Sequence, residues 1–109
     1  VTPTIRYTLA IGHSVAGFHQ WNDATVEAAI AASWPFPGYT LAPARGRWEG
    51  AEQDSTLVTY LGSEAEEGAI IAAAEDIALA LDQDSVLVTA EPVKVAFVSR
   101  RSAERREVA

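Results

Sequence analysis

The sequence contains no cysteine. Disulfides, thiol nucleophiles and cysteine-bound metals are therefore excluded. Methionine is also absent, and lysine occurs once, at Lys94. No apolar run approaches the roughly 20 residues of a membrane-spanning helix. The opening residues carry no charged, apolar and small leader pattern. Together these two absences make a cytoplasmic protein, off the membrane, the expectation. Positive charge is scarce as well. Residues 1–98 hold four basic and thirteen acidic side chains, a balance of −9, while residues 99–109 hold four arginines and two glutamates, a balance of +2. An acidic body lacks the electropositive surface that nucleic-acid binding needs, so no nucleic-acid partner is expected.

What is present suffices for one core. A chain of 109 residues, 49% hydrophobic, fits a single domain of ordinary size. The domain is expected over residues 1–98, with 99–109 as a charged C-terminal tail. That tail is expected to be solvated, or else to dock on an acidic partner or on a second copy.

The stretch from Trp34 to Trp48 organises the rest. Pro35 and Pro37 fix φ and remove backbone donors, so a helix arriving at Ser33 must stop. Pro37-Gly38 marks a turn. Tyr39-Thr-Leu-Ala alternates as a strand does, and Pro43 predicts that this strand is an edge or bulged one. Gly46 and Gly50 bracket Arg47-Trp48-Glu49 and suggest a bend in which Trp48 folds back. Trp48 reads first as a lid on one end of the core and second as a stacking ring for a ligand.

Ahead of this stretch, Ile5, Tyr7, Leu9 and Ile11 alternate with Arg6, Thr8 and Ala10 and predict a strand over 4–12. A loop over 13–22 follows, and Asn22 or Asp23 caps a helix. Its buried face is expected to carry Val26, Ala29, Ile30, Ser33 and Trp34. Beyond the stretch, residues 52–54 read as a polar connection and 55–61 as a strand. Ser63 and Glu66 form a capping box that opens a second helix reaching about Leu81. Its buried face is expected to be Ile70, Ala74, Ile77, Ala78 and Leu81. A last strand is expected over 86–98, broken at Glu91-Pro92.

The order strand, helix, strand, strand, helix, strand is that of the ferredoxin-like α+β fold, βαββαβ. Four antiparallel strands carry two helices on one face. The other face is expected to present Arg6, Thr8, Ala10, Ala42, Lys94, Ala96 and Val98. Thr56, Val58 and Tyr60, or their neighbours, would complete it. That face is too apolar for a plain solvated surface, so a homodimer interface is the first expectation and a small-molecule groove the second.

Tyr7 to Gly12, Trp21, Phe36-Pro37-Gly38-Tyr39-Thr40-Leu41, Gly46-Arg47-Trp48, Gln83-Asp84-Ser85-Val86-Leu87 and Val95-Ala96-Phe97 are strings that together resemble the bacterial DUF3574 family. The resemblance spans about residues 5–98 in order and implies one small domain of common fold. It transfers no catalytic residue.

Candidate chemistry is sparse. His13 and His19 share the first loop with Asp23, but their spacing is no recognised ligand pattern, and solvated histidines are the ordinary reading. No metal and no cofactor are expected. No phosphate loop or nucleophile elbow is present. Ligand or interface candidates are Arg6, Thr8, His13, His19, Arg47, Trp48 and Tyr60. Three functions remain open. The first is a non-enzymatic binding protein, a homodimer working through its open sheet face. The second is a small dimeric enzyme or small-molecule binder with a groove near Arg6, His13, Tyr60 and Trp48. The third is a phage-type acidic protein that binds a host factor.

Overall fold

The structure is a computed structural model that describes residues 3–15, 19–48 and 50–101, the side chains of His19 and Trp48 excepted. Gly17, Glu49 and the tail beyond Arg101 lie outside the described residues.

The elements run β1 (Thr4–Gly12), β2 (Ser14–Val15), β3 (His19–Gln20), α1 (Asp23–Ser33), β4 (Thr40–Trp48), β5 (Ala51–Gly62), a 3-10 turn (Glu64–Glu66), α2 (Glu67–Ala80) and β6 (Leu87–Val93). The main sheet has the order β4-β5-β1-β6. Every neighbouring pair in it is antiparallel. With two helices on the sheet, this is the α+β ferredoxin-like arrangement that the sequence order predicts.

Alternation along β1 decides which face is covered. Ile5, Tyr7, Leu9 and Ile11 are 6%, 1%, 0% and 0% exposed. They meet Val26 and Ile30 of α1 and Ile70, Ala73, Ala74 and Ile77 of α2, with Leu81 and Trp34 at the margins. Each buried aliphatic side chain contributes about 1.5–3 kcal/mol, so this face holds the fold together. On α2, Ala73 takes the core place expected for Ala78, which is half-buried.

The helix ends follow from local chemistry. The Asn22 side chain accepts from the Thr25 amide at 2.8 Å and caps α1. Trp34, held extended by the proline that follows, donates its amide to Ile30 at 2.9 Å and closes that helix. At Ser63 the capping box forms, with Glu66 reaching back to the Ser63 amide at 2.8 Å.

Four expectations change. The 13–22 segment contains a small antiparallel hairpin, β2 with β3. Residues 52–54 belong to β5, which pairs with β4 up to Trp48 and Ala51. No bend interrupts β4 at Arg47; the two strands form one long ribbon, and Gly50 takes the positive φ of 82° that its turn needs. β1 pairs with β5 only from Ser55 onward, so 51–54 form a two-stranded tip. A mostly exposed tip selects polar residues, which is why 52–54 looks like a connection in the sequence.

The last strand ends at Val93, so Lys94, Ala96 and Val98 are not strand residues. Pro43 and Pro92 both sit inside strands, in β4 and β6. Both are edge strands, where one side of the ladder has no partner and a missing amide is tolerated.

Candidate functional site

On the uncovered face the register puts Leu57, Thr59 and Leu61 opposite Ala10, Thr8 and Arg6. Leu87, Thr89 and Glu91 of β6 flank the same three residues. The neighbours of Thr56, Val58 and Tyr60 therefore form this face, while Val58 is fully buried in the core. Leu61 is 45% exposed and Leu87 64%, an apolar surface on the side of the sheet away from α1 and α2.

At the end of the face that carries Arg6 the surface is concave. An open groove of about 630 Å³ runs from Gly38, Tyr39 and Thr40 across Thr59, Tyr60 and Leu61 to Arg6 and Val93–Ala96. Its size is that of a small-molecule site. Chain leaving β6 forms one wall, and the turn that leads into β4 forms the other. Arg6 is oriented by Glu91, to which its Nε donates at 2.9 Å and with which it forms an ion pair. Both guanidinium bonds go to one carboxylate oxygen, Oε1, so Arg6 keeps further donors for a ligand.

Behind the groove lies an aromatic cluster. Tyr60 faces Tyr7 across the β1–β5 pair. Phe36 stacks on Tyr60 with centroids 4.7 Å apart and planes 4° from parallel. Trp34 meets Tyr60 edge-on at 5.5 Å and Tyr39 at 5.8 Å. Offset and edge-on pairs of this kind add about 0.5–1.5 kcal/mol each beyond area burial. The prolines that end α1 thus deliver Trp34, Phe36 and Tyr39 to one place. Trp34 Nε1 donates to the Gly38 carbonyl at 3.0 Å and fixes the turn.

The cluster contains a phenol and carboxylate pair. Tyr60 donates its hydroxyl to Glu66 Oε2 at 2.8 Å. Burial, reinforced by that carboxylate, pushes the Tyr60 phenol up to about 12. The Ser63 amide first, and the Tyr60 hydroxyl second, hold the Glu66 carboxyl below its ordinary range. Tyr7 is also raised, by burial and then by Glu67, Glu66 and Glu64. Its hydroxyl donates to the Ser63 carbonyl at 2.6 Å. At neutral pH the pair therefore holds a protonated phenol against an ionised carboxylate. Gly62 makes room for it: a β-carbon there would lie 2.5 Å from Glu66 Oε1 and 2.6 Å from the Tyr60 ring.

The opposite end of the sheet is built differently. His13 is 2% exposed, so the solvated-loop expectation for it is corrected. Its Nε2 shares a 2.8 Å hydrogen bond with Thr56 Oγ1, and its Nδ1 lies 3.8 Å from Asp23 Oδ1. Its backbone is fixed by Asp54 and Trp21 at 3.0 and 2.8 Å. Gln83 donates to the Ser14 carbonyl at 3.1 Å and Gln20 to Asp54 at 3.2 Å, tying down the small hairpin. His13 closes the end of the core.

The structure therefore divides the candidate residues. Arg6 and Tyr60 line the groove. Thr8 is on the same face, one position beyond the groove's lining. His13 follows the far end of β1, seven residues from Arg6, which is about 23 Å along an extended strand. A shared groove for Arg6 and His13 does not form. Arg47 sits in the ribbon near its tip, 3.8 Å from Glu52. Trp48 enters through its backbone, paired with Ala51 at the tip and far from Arg6. His19 pairs through its backbone with Val15. Among the described residues no cluster of three or more His, Asp or Glu side chains could hold a metal ion. Among them, too, no helix is long and apolar enough to cross a membrane.

Sequence reasoning missed Tyr39 and Glu66, and it reached Thr59 and Leu61 only as the alternative neighbours of Val58 and Tyr60. Glu66 was visible as a capping residue; its reach to Tyr60 depends on the space left at Gly62.

No protein-family model matches the chain, and no curated protein matches it. Solved structures do resemble it. A phage SAM lyase in complex with S-methyl-5'-thioadenosine superposes with a TM-score of 0.68 at 16% identity, covering 84% of this chain and 83% of that one. A phage SAM lyase in the apo state gives 0.59 at 17% identity, over 81% and 79% of the two chains. A DUF3240 family protein from Shewanella baltica gives 0.60 at 12% identity, over 91% and 99%. These likenesses concern the fold. A small domain of the DUF3240 kind is compatible with them, and the DUF3574 resemblance gains no support from the family models.

Proposed function

We propose that the open sheet face is a binding surface for a small adenosine-type ligand, S-methyl-5'-thioadenosine or S-adenosylmethionine. The groove on that face carries the reading: it has a size suited to one small molecule, apolar walls and a few convergent polar groups. The Tyr39 ring, 37% exposed, and the side chains of Leu61, Val93 and Val95 suit a flat heteroaromatic base. Thr40 and Thr59 offer hydroxyls to a ribose. Arg6 and Lys94 offer cationic donors to the carboxylate that S-adenosylmethionine carries and S-methyl-5'-thioadenosine lacks. The likeness to a phage SAM lyase holding S-methyl-5'-thioadenosine supports this choice of ligand class.

Isothermal titration calorimetry with both compounds tests it. Saturable binding is expected for each. Lys94→Ala weakens S-adenosylmethionine about tenfold, the cost of one charge-assisted hydrogen bond, and leaves S-methyl-5'-thioadenosine unchanged. Absence of heat with either compound overturns the reading.

A homodimer through the same face remains compatible with this reading. Nothing on this surface favours a host-factor inhibitor over ligand binding.

A further inference from the structure

The ion pair at the end of the groove has capacity left over. Arg6 and Glu91 face each other across β1 and β6, and their side chains are about half exposed. Both guanidinium bonds go to Glu91 Oε1, and among the described residues no hydrogen bond reaches Oε2. The guanidinium keeps donors as well. Glu91 lies two positions before Val93 on β6, so it shares a side of that strand with a residue that lines the groove. Among the described strand residues that share the open face with Arg6, it is the single carboxylate. One open anion therefore stands beside one open cation, at the end of the groove that Arg6 lines.

We propose that Arg6 and Glu91 together receive the amino-acid end of an adenosine ligand. Glu91 takes the α-ammonium through Oε2, and Arg6 with Lys94 takes the α-carboxylate. The proposal rests on the adenosine-ligand reading and makes Glu91 the residue that sets ligand choice at that site. An α-amino acid carries its two opposite charges on adjoining groups, and the ion pair presents the complementary two side by side. Charge-assisted hydrogen bonds of this kind are about twice as strong as neutral ones. A groove with Arg6 and Lys94 alone would accept any anion, nucleotide phosphates included. Glu91, in a body whose residues 1–98 carry −9, penalises a polyanion and leaves a zwitterion favoured. The preferred ligands are then adenosine compounds that keep an intact amino-acid end, on a thioether or a sulfonium sulfur. S-methyl-5'-thioadenosine has no such end and gains nothing from Glu91.

Calorimetric titration of the wild type and Glu91→Gln tests it with three compounds. They are S-adenosylhomocysteine, its analogue with hydrogen in place of the amino group, and S-methyl-5'-thioadenosine. The glutamine keeps an oxygen that accepts from Arg6 and loses only the negative charge. The substituted side chain is half exposed on an edge strand, so circular dichroism of the variant should match the wild type. The wild type is expected to bind S-adenosylhomocysteine about tenfold more tightly than the deamino analogue. The variant is expected to bind those two alike, with its affinity for S-methyl-5'-thioadenosine kept. A variant that retains the tenfold preference overturns the proposal. So does a variant that weakens all three compounds equally, because Glu91 would then act only by holding Arg6. A wild type that binds S-methyl-5'-thioadenosine but does not distinguish the other two overturns this proposal and leaves the adenosine-ligand reading standing. Failure of the wild type to bind any of the three overturns both.

Discussion

The two faces of β1 share one backbone and one pair of neighbouring strands, yet they have opposite fates. Ile5, Tyr7, Leu9 and Ile11 are sealed under α1 and α2, whereas Arg6 and Thr8, one residue away, look onto a groove and an apolar surface that α1 and α2 leave open. Stability is concentrated on one side and recognition chemistry on the other. Period-two alternation separates them cleanly, because adjacent side chains in a strand cannot reach the same face. Substitutions on the two faces should therefore separate stability from binding.

The largest effect is expected on the covered face. Leu9→Ala should lower the unfolding free energy by about 2–5 kcal/mol, read from urea denaturation, because its site under the helices cannot collapse fully. Phe36→Ala, which removes a half-buried ring stacked on Tyr60, should cost about 2 kcal/mol by the same measurement. Gly62→Ala should cost about 1 kcal/mol and displace Glu66 from Tyr60, seen as loss of the late phenol step in an ultraviolet titration.

The pH dependence has two limbs. Tyr60 has a folded value of about 12 against an ordinary 10.0, so its contribution is present below pH 10 and is lost as pH rises toward 12. Glu66 is shifted the other way. Its contribution is full above the ordinary carboxylate range and is lost as pH falls through its lowered folded value. Tyr60→Phe should remove the alkaline limb and Glu66→Gln should weaken the acid limb, in thermal midpoints measured across pH. The smallest change in stability is expected on the open face. Leu61→Gln should stay within about 0.5 kcal/mol of the wild type while weakening ligand binding. A large stability loss there would erase the contrast between the faces.

Much of the fold was legible in the sequence for simple reasons. β1 reads directly because Ile5 to Ile11 alternate without exception. α2 reads from Ser63 and Glu66 and from the spacing of Ile70, Ala74, Ile77 and Leu81. The ribbon tip was missed because residues 51–54 lie beyond the end of the β1–β5 pairing and are mostly exposed, which leaves no alternation to see. The end of β6 was missed because Val93, Val95 and Phe97 keep alternating after the pairing stops.

The candidate site was legible only in part. Arg6 and Tyr60 could be named, since one faces away from the core and the other is an aromatic on a strand. His13 could not be placed, because its burial depends on Thr56, forty-three residues away. Glu66 meets Tyr60 only because β5 gives way to the 3-10 turn after Gly62, whose missing side chain leaves room for the carboxylate, and no local pattern encodes that approach.

Hydrogen–deuterium exchange with and without S-methyl-5'-thioadenosine tests the central claim most directly, because it reads every strand at once. Added protection is expected in residues 38–40, 59–61 and 93–96, with the hairpin around His13 unchanged. Protection confined to α1 and α2, or centred on His13, would contradict a binding role for the uncovered face.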